Sequence, residues 1–182
     1  TDLMADVLSD GWNIRIFLFC ALLGGLVGML SRTGSAHAFG LWARKKLHSP
    51  KTSLLLAWFC GLIIFIDDYF NSLAVGTVMR PIADKNKVSR AKLAYLIDAT
   101  AAPVCIIAPI SSWAAAVAGF AKGAGSESGM SLFIQAIPFN FYALLTIVMM
   151  IFLAVTKFDY GPMKKHETNA LKNGDLFTSK GI

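Results

Sequence analysis

Charge is scarce in this sequence. Lys, Arg, Asp and Glu make up only 15% of its 182 residues, while 55% are hydrophobic; soluble domains usually carry about 25% charged residues. The mean hydropathy is +0.58, and several apolar runs approach the ~20 residues that cross a ~30 Å hydrocarbon layer. Together these exclude a soluble enzyme with one large core and indicate an integral membrane protein. Patterns for disulfides and transition metals are also missing. Cys20, Cys60 and Cys105 stand far apart in apolar runs without a C-x-x-C, and His37, His48 and His166 show no ligand spacing, so the cysteines read as small buried hydrophobes. The G-S-E-S-G string carries Glu127 where a nucleophile elbow needs serine. No initiator Met or signal peptide opens the chain at Thr1, and we expect a piece of a longer protein.

What charge there is, is patterned. The net charge is +6. A basic balance can signal nucleic acid, but here the basic residues sit in short loops between apolar runs, as membrane topology requires. Arg44–Lys51 holds Arg44, Lys45, Lys46 and Lys51 and no acid; Arg80–Lys92 holds five basic residues and one acid, Asp84; five more lie in the tail from Lys157. Asp2, Asp6 and Asp10 make the N-terminus acidic. Positive-inside counting puts both basic loops and the tail in the cytoplasm, and the N-terminus and the 120–131 loop outside. Spans are expected at about 14–30, 93–119 and 132–156, and the segment 161–182 as a polar cytoplasmic piece. Gly24 and Gly28 form a G-x-x-x-G packing face, Arg15 snorkels, and Trp42 and Trp113 read as interface anchors.

That parity closes only if 52–79 enters and leaves on one side, as a re-entrant helical hairpin. Thr52–Ile66 reaches about 22 Å and Phe70–Met79 returns roughly 15 Å, so the turn at Asp67–Asp68–Tyr69 falls inside the bilayer. An acid at the centre of a span costs about 2.5–3.5 kcal/mol; two side by side demand pairing, protonation or a cation. As one unbroken helix, 93–119 would measure about 40 Å, and Pro103 and Pro109 favour a broken helix with free carbonyls near 101–110. Broken helices at mid-membrane hold the ions and substrates of secondary transporters.

A hard cation wants oxygen ligands. The turn offers Asp67, Asp68 and Asn71; the broken helix offers Asp98, Thr100, Ser111 and Ser112. Burial and a like-charged neighbour raise a carboxylate pKa, so a proton and a cation can compete for the same oxygens, which suffices for antiport. Asp67, Asp68 and Asn71 are the expected sodium ligands. Plainer readings stand beside these. The two acids could be end caps, Asp98 could pair with Lys92 or Arg90, Asn71 could bond backbone in the turn, the prolines could be kinks, and Ser111–Ser112 could back-bond to helix carbonyls. Adjacent residues do not face each other on a regular helix, so Asp67 and Asp68 form one coupled pair only where the helix is unwound.

The strings F-I-D-D-Y-F-N-S-L-A-V-G-T-V-M-R-P-I-A-D (65–84), S-R-A-K-L-A-Y-L-I-D-A-T-A-A-P-V (89–104) and P-I-S-S-W (109–113) resemble the NhaC-type sodium/proton antiporter family, within the wider ion-transporter superfamily. The similarity extends more loosely over about 11–160. It implies an all-α, polytopic, inverted-repeat transporter, with one hairpin and one broken helix in each half, of which this chain supplies one half. Ser112 stands where relatives often carry threonine. The family also includes antiporters of organic anions and amino acids, so the resemblance bears on mechanism more than on substrate.

The expected activity is therefore exchange of sodium, or another monovalent cation, for protons, with no enzymatic step and no cofactor beyond the transported ions. A sodium- or proton-coupled organic anion or amino acid antiporter is one alternative; a non-transporting structural subunit of a membrane complex is another. Expected partners are the lipid bilayer, the remaining half of the transporter and, as an option, a second copy in a homodimer, but no nucleic acid. The expected location is the inner or plasma membrane, multi-pass.

Overall fold

Ser49 and Pro50 start the central stretch. The Ser49 hydroxyl accepts from the Thr52 amide at 3.2 Å, and Pro50 sits at the helix start, where a missing N–H costs nothing. In the computed structural model, which describes residues 9, 11–34, 38, 41, 49–123, 129–156 and 158–179, every regular element is helical. The helices are α1 (Gly11–Arg32), α2 (Pro50–Ile63), α3 (Asp68–Lys85), α4 (Arg90–Ile107), α5 (Ser112–Gly123), α6 (Gly129–Ala136), α7 (Phe141–Thr156) and α8 (Gly161–Asn173). The acidic N-terminal residues Asp2, Asp6 and Asp10, the basic residues 44–46, Trp42, and the loop 124–128 lie outside the described residues.

α2 and α3 form a helical hairpin. Two side-chain bonds tie its arms in antiparallel register. Near the apex, Asn71 Nδ2 donates to the Gly61 carbonyl at 2.8 Å; at the open end, Asn86 Nδ2 donates to Ser53 Oγ at 2.8 Å. α4 is the central element and packs against α2, α3, α5, α7 and α8. The core lies where the hairpin meets it: Leu54 and Ala57 of α2, Val75 and Met79 of α3, and Leu93 and Leu96 of α4.

Proline decides where the long apolar segments break. Pro109 forces the residue before it out of the α region; Ala108 is extended at ψ 124°, and α4 and α5 diverge by 46°. Pro103, by contrast, stays inside α4. It forfeits one backbone bond, but Pro103, Val104 and Cys105 are all buried, and that packing holds the turn helical. The expected single span 132–156 is divided too. A 3₁₀ turn at Ile137–Phe139, which contains Pro138, separates α6 from α7, and Asn140 Oδ1 caps α7 by accepting from the Ala143 amide at 3.2 Å. α5 and α6 then fold closely together: a Cβ on Gly129 would fall 2.6 Å from the Ala118 carbonyl oxygen.

Outside that core, large apolar side chains face outward and several polar ones are buried. Ile110 and Phe120 are 76% and 75% exposed, and α7 turns Leu145, Val148 and Phe152 outward. Ser53, Asn71, Thr100, Thr146 and Lys92 are buried instead. Among the described residues one helical region, which begins with α7 at Phe141, is long and apolar enough to cross a membrane by length and composition, and the bent pair α4–α5 qualifies as a second if it forms one span. These two correspond to the expected spans 132–156, which Pro138 shortens so that its long helix begins at Phe141, and 93–119; the expected span 14–30 falls within α1.

The polar tail is a docked helix. Glu167 Oε2 accepts from the Ser89 amide at 3.0 Å. Lys92 Nζ lies 2.7 Å from Asp159 Oδ1 and 4.0 Å from Glu167 Oε1. The Arg90 amide donates to the Leu176 carbonyl at 3.0 Å, and its guanidinium stacks 5.2 Å from the centre of the Phe177 ring. Thus the second basic loop and the tail touch directly. Removing the Lys92 ammonium leaves two acids buried without their cation, a change that typically costs about 3–5 kcal/mol. Lys92→Met should therefore lower the melting temperature in detergent markedly. Adding Asp159→Asn and Glu167→Gln should restore most of it; an unchanged melting point in the single variant would show that the cluster contributes nothing.

Candidate functional site

Both helix interruptions fall at the same place. α2 ends at Ile63, residues 64–67 are non-helical, and α3 restarts at Asp68. α4 ends at Ile107, and α5 begins at Ser112. Across the gap the Ser112 amide donates to the Ile66 carbonyl at 2.8 Å. Each break leaves main-chain groups without intrahelical partners, and here the first free N–H of α5 meets a free carbonyl of the hairpin turn.

Four of the expected site residues gather around this contact. Asp67 is extended (φ −151°, ψ 137°), buried at 4% exposure, and caps α3 by accepting from the Phe70 amide at 2.9 Å. Asp68 occupies the first turn of the same helix and is half-buried. Both carboxylates therefore lie at the positive end of the α3 dipole. Because the backbone is unwound at Asp67, the helical geometry that keeps adjacent side chains apart does not apply there. The hairpin turn comes slightly earlier than expected, at 64–67, because Asp67 acts as the cap. Ser111, buried, caps α5: its hydroxyl donates to the Ala108 carbonyl at 3.1 Å and accepts from the Ala114 amide at 3.2 Å.

Asn71 is wholly buried one turn into α3. Its amide nitrogen is satisfied by Gly61, but its Oδ1 has no hydrogen-bond partner. Leaving a buried acceptor unpaired costs about 1–3 kcal/mol. A Cβ built on Gly61 would lie 3.6 Å from that oxygen and 3.1 Å from Thr100 Cγ2, so Gly61, Asn71 and Thr100 form one tight junction between α2, α3 and α4. Thr100 Oγ1 itself donates back to the Leu96 carbonyl at 2.6 Å. Among the described residues no three His, Cys, Asp or Glu side chains converge to hold a metal ion. The donors near the apex are carboxylate, amide, hydroxyl and carbonyl oxygens, the set a hard monovalent cation takes.

Asp98 is placed elsewhere. It is exposed and borders a cavity of about 480 Å3 together with Ser72, Gly76, Arg80, Arg90 and Phe177. It does not pair with Lys92, which binds Asp159, or with Arg90, whose Nη2 lies 2.7 Å from Asp84 Oδ2. Burial pushes the Asp84 carboxyl above its ordinary value, against the opposing pull of Arg90 and Arg80. Residue-by-residue reading missed Gly61, whose role is a close approach, and the Ile66 carbonyl, which every residue type carries. No sequence signal marks either.

Residues 104–180 match the Na+/H+ antiporter family. The matched segment includes Ser111 and Ser112 and begins after Asp67, Asp68, Asn71, Asp98 and Thr100. An uncharacterized protein of Haemophilus influenzae (strain Rd) is 42% identical over 176 residues, covering 92% of this chain and 34% of that protein. The chain thus spans about a third of the length of the curated relative it matches. No solved structure matches. The family match covers less than half of the chain.

The tight junction is testable by paired substitution. Gly61→Ala should destabilise by about 1–3 kcal/mol, the range for overpacking a filled site, and Thr100→Ser, which removes the Cγ2 methyl, should recover part of that loss. Additive effects in a double-mutant cycle on thermal unfolding would show that the two residues do not touch.

Proposed function

We propose that the chain carries the ion-exchange centre of a multi-pass inner- or plasma-membrane transporter of the NhaC type, which trades sodium or another monovalent cation for protons. The observation that carries this reading is the wholly buried Asn71 Oδ1, which has no hydrogen-bond partner, one turn along α3 from Asp67 and Asp68, at the N-terminus of a helix whose preceding break meets the α4–α5 break. Such an oxygen is costly unless something positive visits it. In this reading α2 and α3 re-enter the bilayer from the cytoplasmic side, and their apex lies at depth. Non-helical backbone at that depth is tolerated only inside protein or beside a cavity; the burial of Asp67 supports the reading, and Ile66, 60% exposed, would need cover from the remaining part of the transporter.

The exchange follows from competition. Protonated, the Asp67–Asp68 pair lacks the charge to hold sodium. Ionised, it offers oxygens that Asn71 Oδ1 supplements, with Thr100, Ser111 and Ser112 as nearby hydroxyls. The two cargoes exclude each other, so each passage of one returns the other. No bond is made or broken, and no cofactor takes part. The remaining part of the transporter supplies the rest of the coordination sphere and covers the apolar residues exposed at the apex, such as Ile66 and Ile110. A second copy can add a dimer contact.

One feature favours a second reading, a sodium-coupled antiporter of organic anions or amino acids. Arg80, Arg90 and Asp98 border the same cavity, and guanidinium groups suit carboxylates. Flux measurements with organic substrates separate the two readings.

In proteoliposomes of the full-length protein, Asp68→Asn should abolish sodium-dependent proton movement, and Asn71→Ala should raise the sodium concentration for half-maximal exchange by roughly tenfold, the loss of one ligand worth about 1.4 kcal/mol. Wild-type exchange by Asp68→Asn would defeat the assignment. Unchanged fluxes in both Asp67→Asn and Asp68→Asn would leave a structural subunit as the remaining role.

A further inference from the structure

We propose that the outward face of α8 docks an anionic phospholipid, its phosphate on lysines and an acyl chain along an adjoining apolar hollow. α8 turns Glu167 and Ala170 inward and leaves Lys164, Lys165 and Lys172 exposed. With Thr168, Asn169 and Thr178 these lysines border a shallow hollow of about 580 Å3, and no acidic side chain lines it. A second hollow of about 460 Å3 shares Lys164 and Thr168 and continues onto Phe152, Phe158 and Leu171. It also touches Asp159 and Glu167, but both acids face the Lys92 ammonium, and Glu167 also takes the Ser89 amide.

A cationic hollow running into an apolar one matches the two chemistries of a single lipid. The location agrees. α8 follows the apolar helix α7, and Phe152, Phe158 and Tyr160 cluster where α7 ends, with ring centres 6.4 and 6.2 Å apart. Aromatic clusters mark the membrane–water interface, and lysines beside a span attract anionic headgroups. A soluble acidic partner would use the lysines and leave the Phe158–Leu171 hollow uncovered. The inference rests on the membrane placement proposed above and not on ion exchange.

The test titrates fluorescent phosphatidylglycerol into the full-length protein in neutral detergent, with phosphatidylcholine of the same chain length and inorganic phosphate as controls. Phosphatidylglycerol should bind at least roughly tenfold more tightly than phosphatidylcholine, since each lysine near the surface adds attraction to anionic lipid. The variant Lys164→Gln/Lys165→Gln/Lys172→Gln should lose that preference, and the corresponding arginine variant should keep it. Leu171→Asn should weaken both lipids alike. A preference unchanged by the glutamine substitutions overturns the proposal, as does inorganic phosphate displacing the lipid at equal concentration. If the glutamine variant does not fold, equal binding of the two lipids to the wild type overturns it on its own. Lipid preference without sodium/proton exchange would sink the transport reading alone; exchange without lipid preference would sink this one alone.

Discussion

The Ser112 N–H to Ile66 carbonyl bond is the constraint on which the arrangement of the apex depends. Both groups belong to interrupted helices, and in an apolar setting neither could find water. By meeting, each break satisfies part of the other. The bond also fixes which two breaks lie together, so the cap of α3, the cap of α5 and the Gly61–Asn71–Thr100 junction share one location.

Around that contact several polar groups are buried, while large apolar side chains such as Ile66 and Ile110 are exposed. The carboxylates of Asp67 and Asp68 stand at a helix N-terminus, where amide donors and the dipole favour negative charge. At the other end of the hairpin, Lys92 sits between Asp159 and Glu167 and binds the tail to the base of α4. The lower cluster is charge-matched and bonded, as a structural latch should be. The upper one retains an unsatisfied oxygen, as a binding site should.

Proline and glycine set the geometry between these poles. Pro109 breaks the α4–α5 segment and Pro138 the α6–α7 segment, while Pro103 is carried within a helix held by packing on several sides. Gly61 and Gly129 let backbones approach where any side chain would crowd a neighbour.

The apolar runs, the sparse charge and the basic loops determined by themselves that the chain is helical and suited to a membrane, because hydrophobic length and loop charge act locally along the chain. The pair at 67–68 likewise announced a costly position, and Pro109 announced a break. Only the tertiary structure decided that the hairpin break meets the α4–α5 break, that Asp98 faces a separate groove with Arg80, and that the tail helix returns to Lys92. Those facts depend on contacts between residues tens of positions apart. A carbonyl such as that of Ile66 has no signature in the letters of a sequence; its partner is chosen by packing alone.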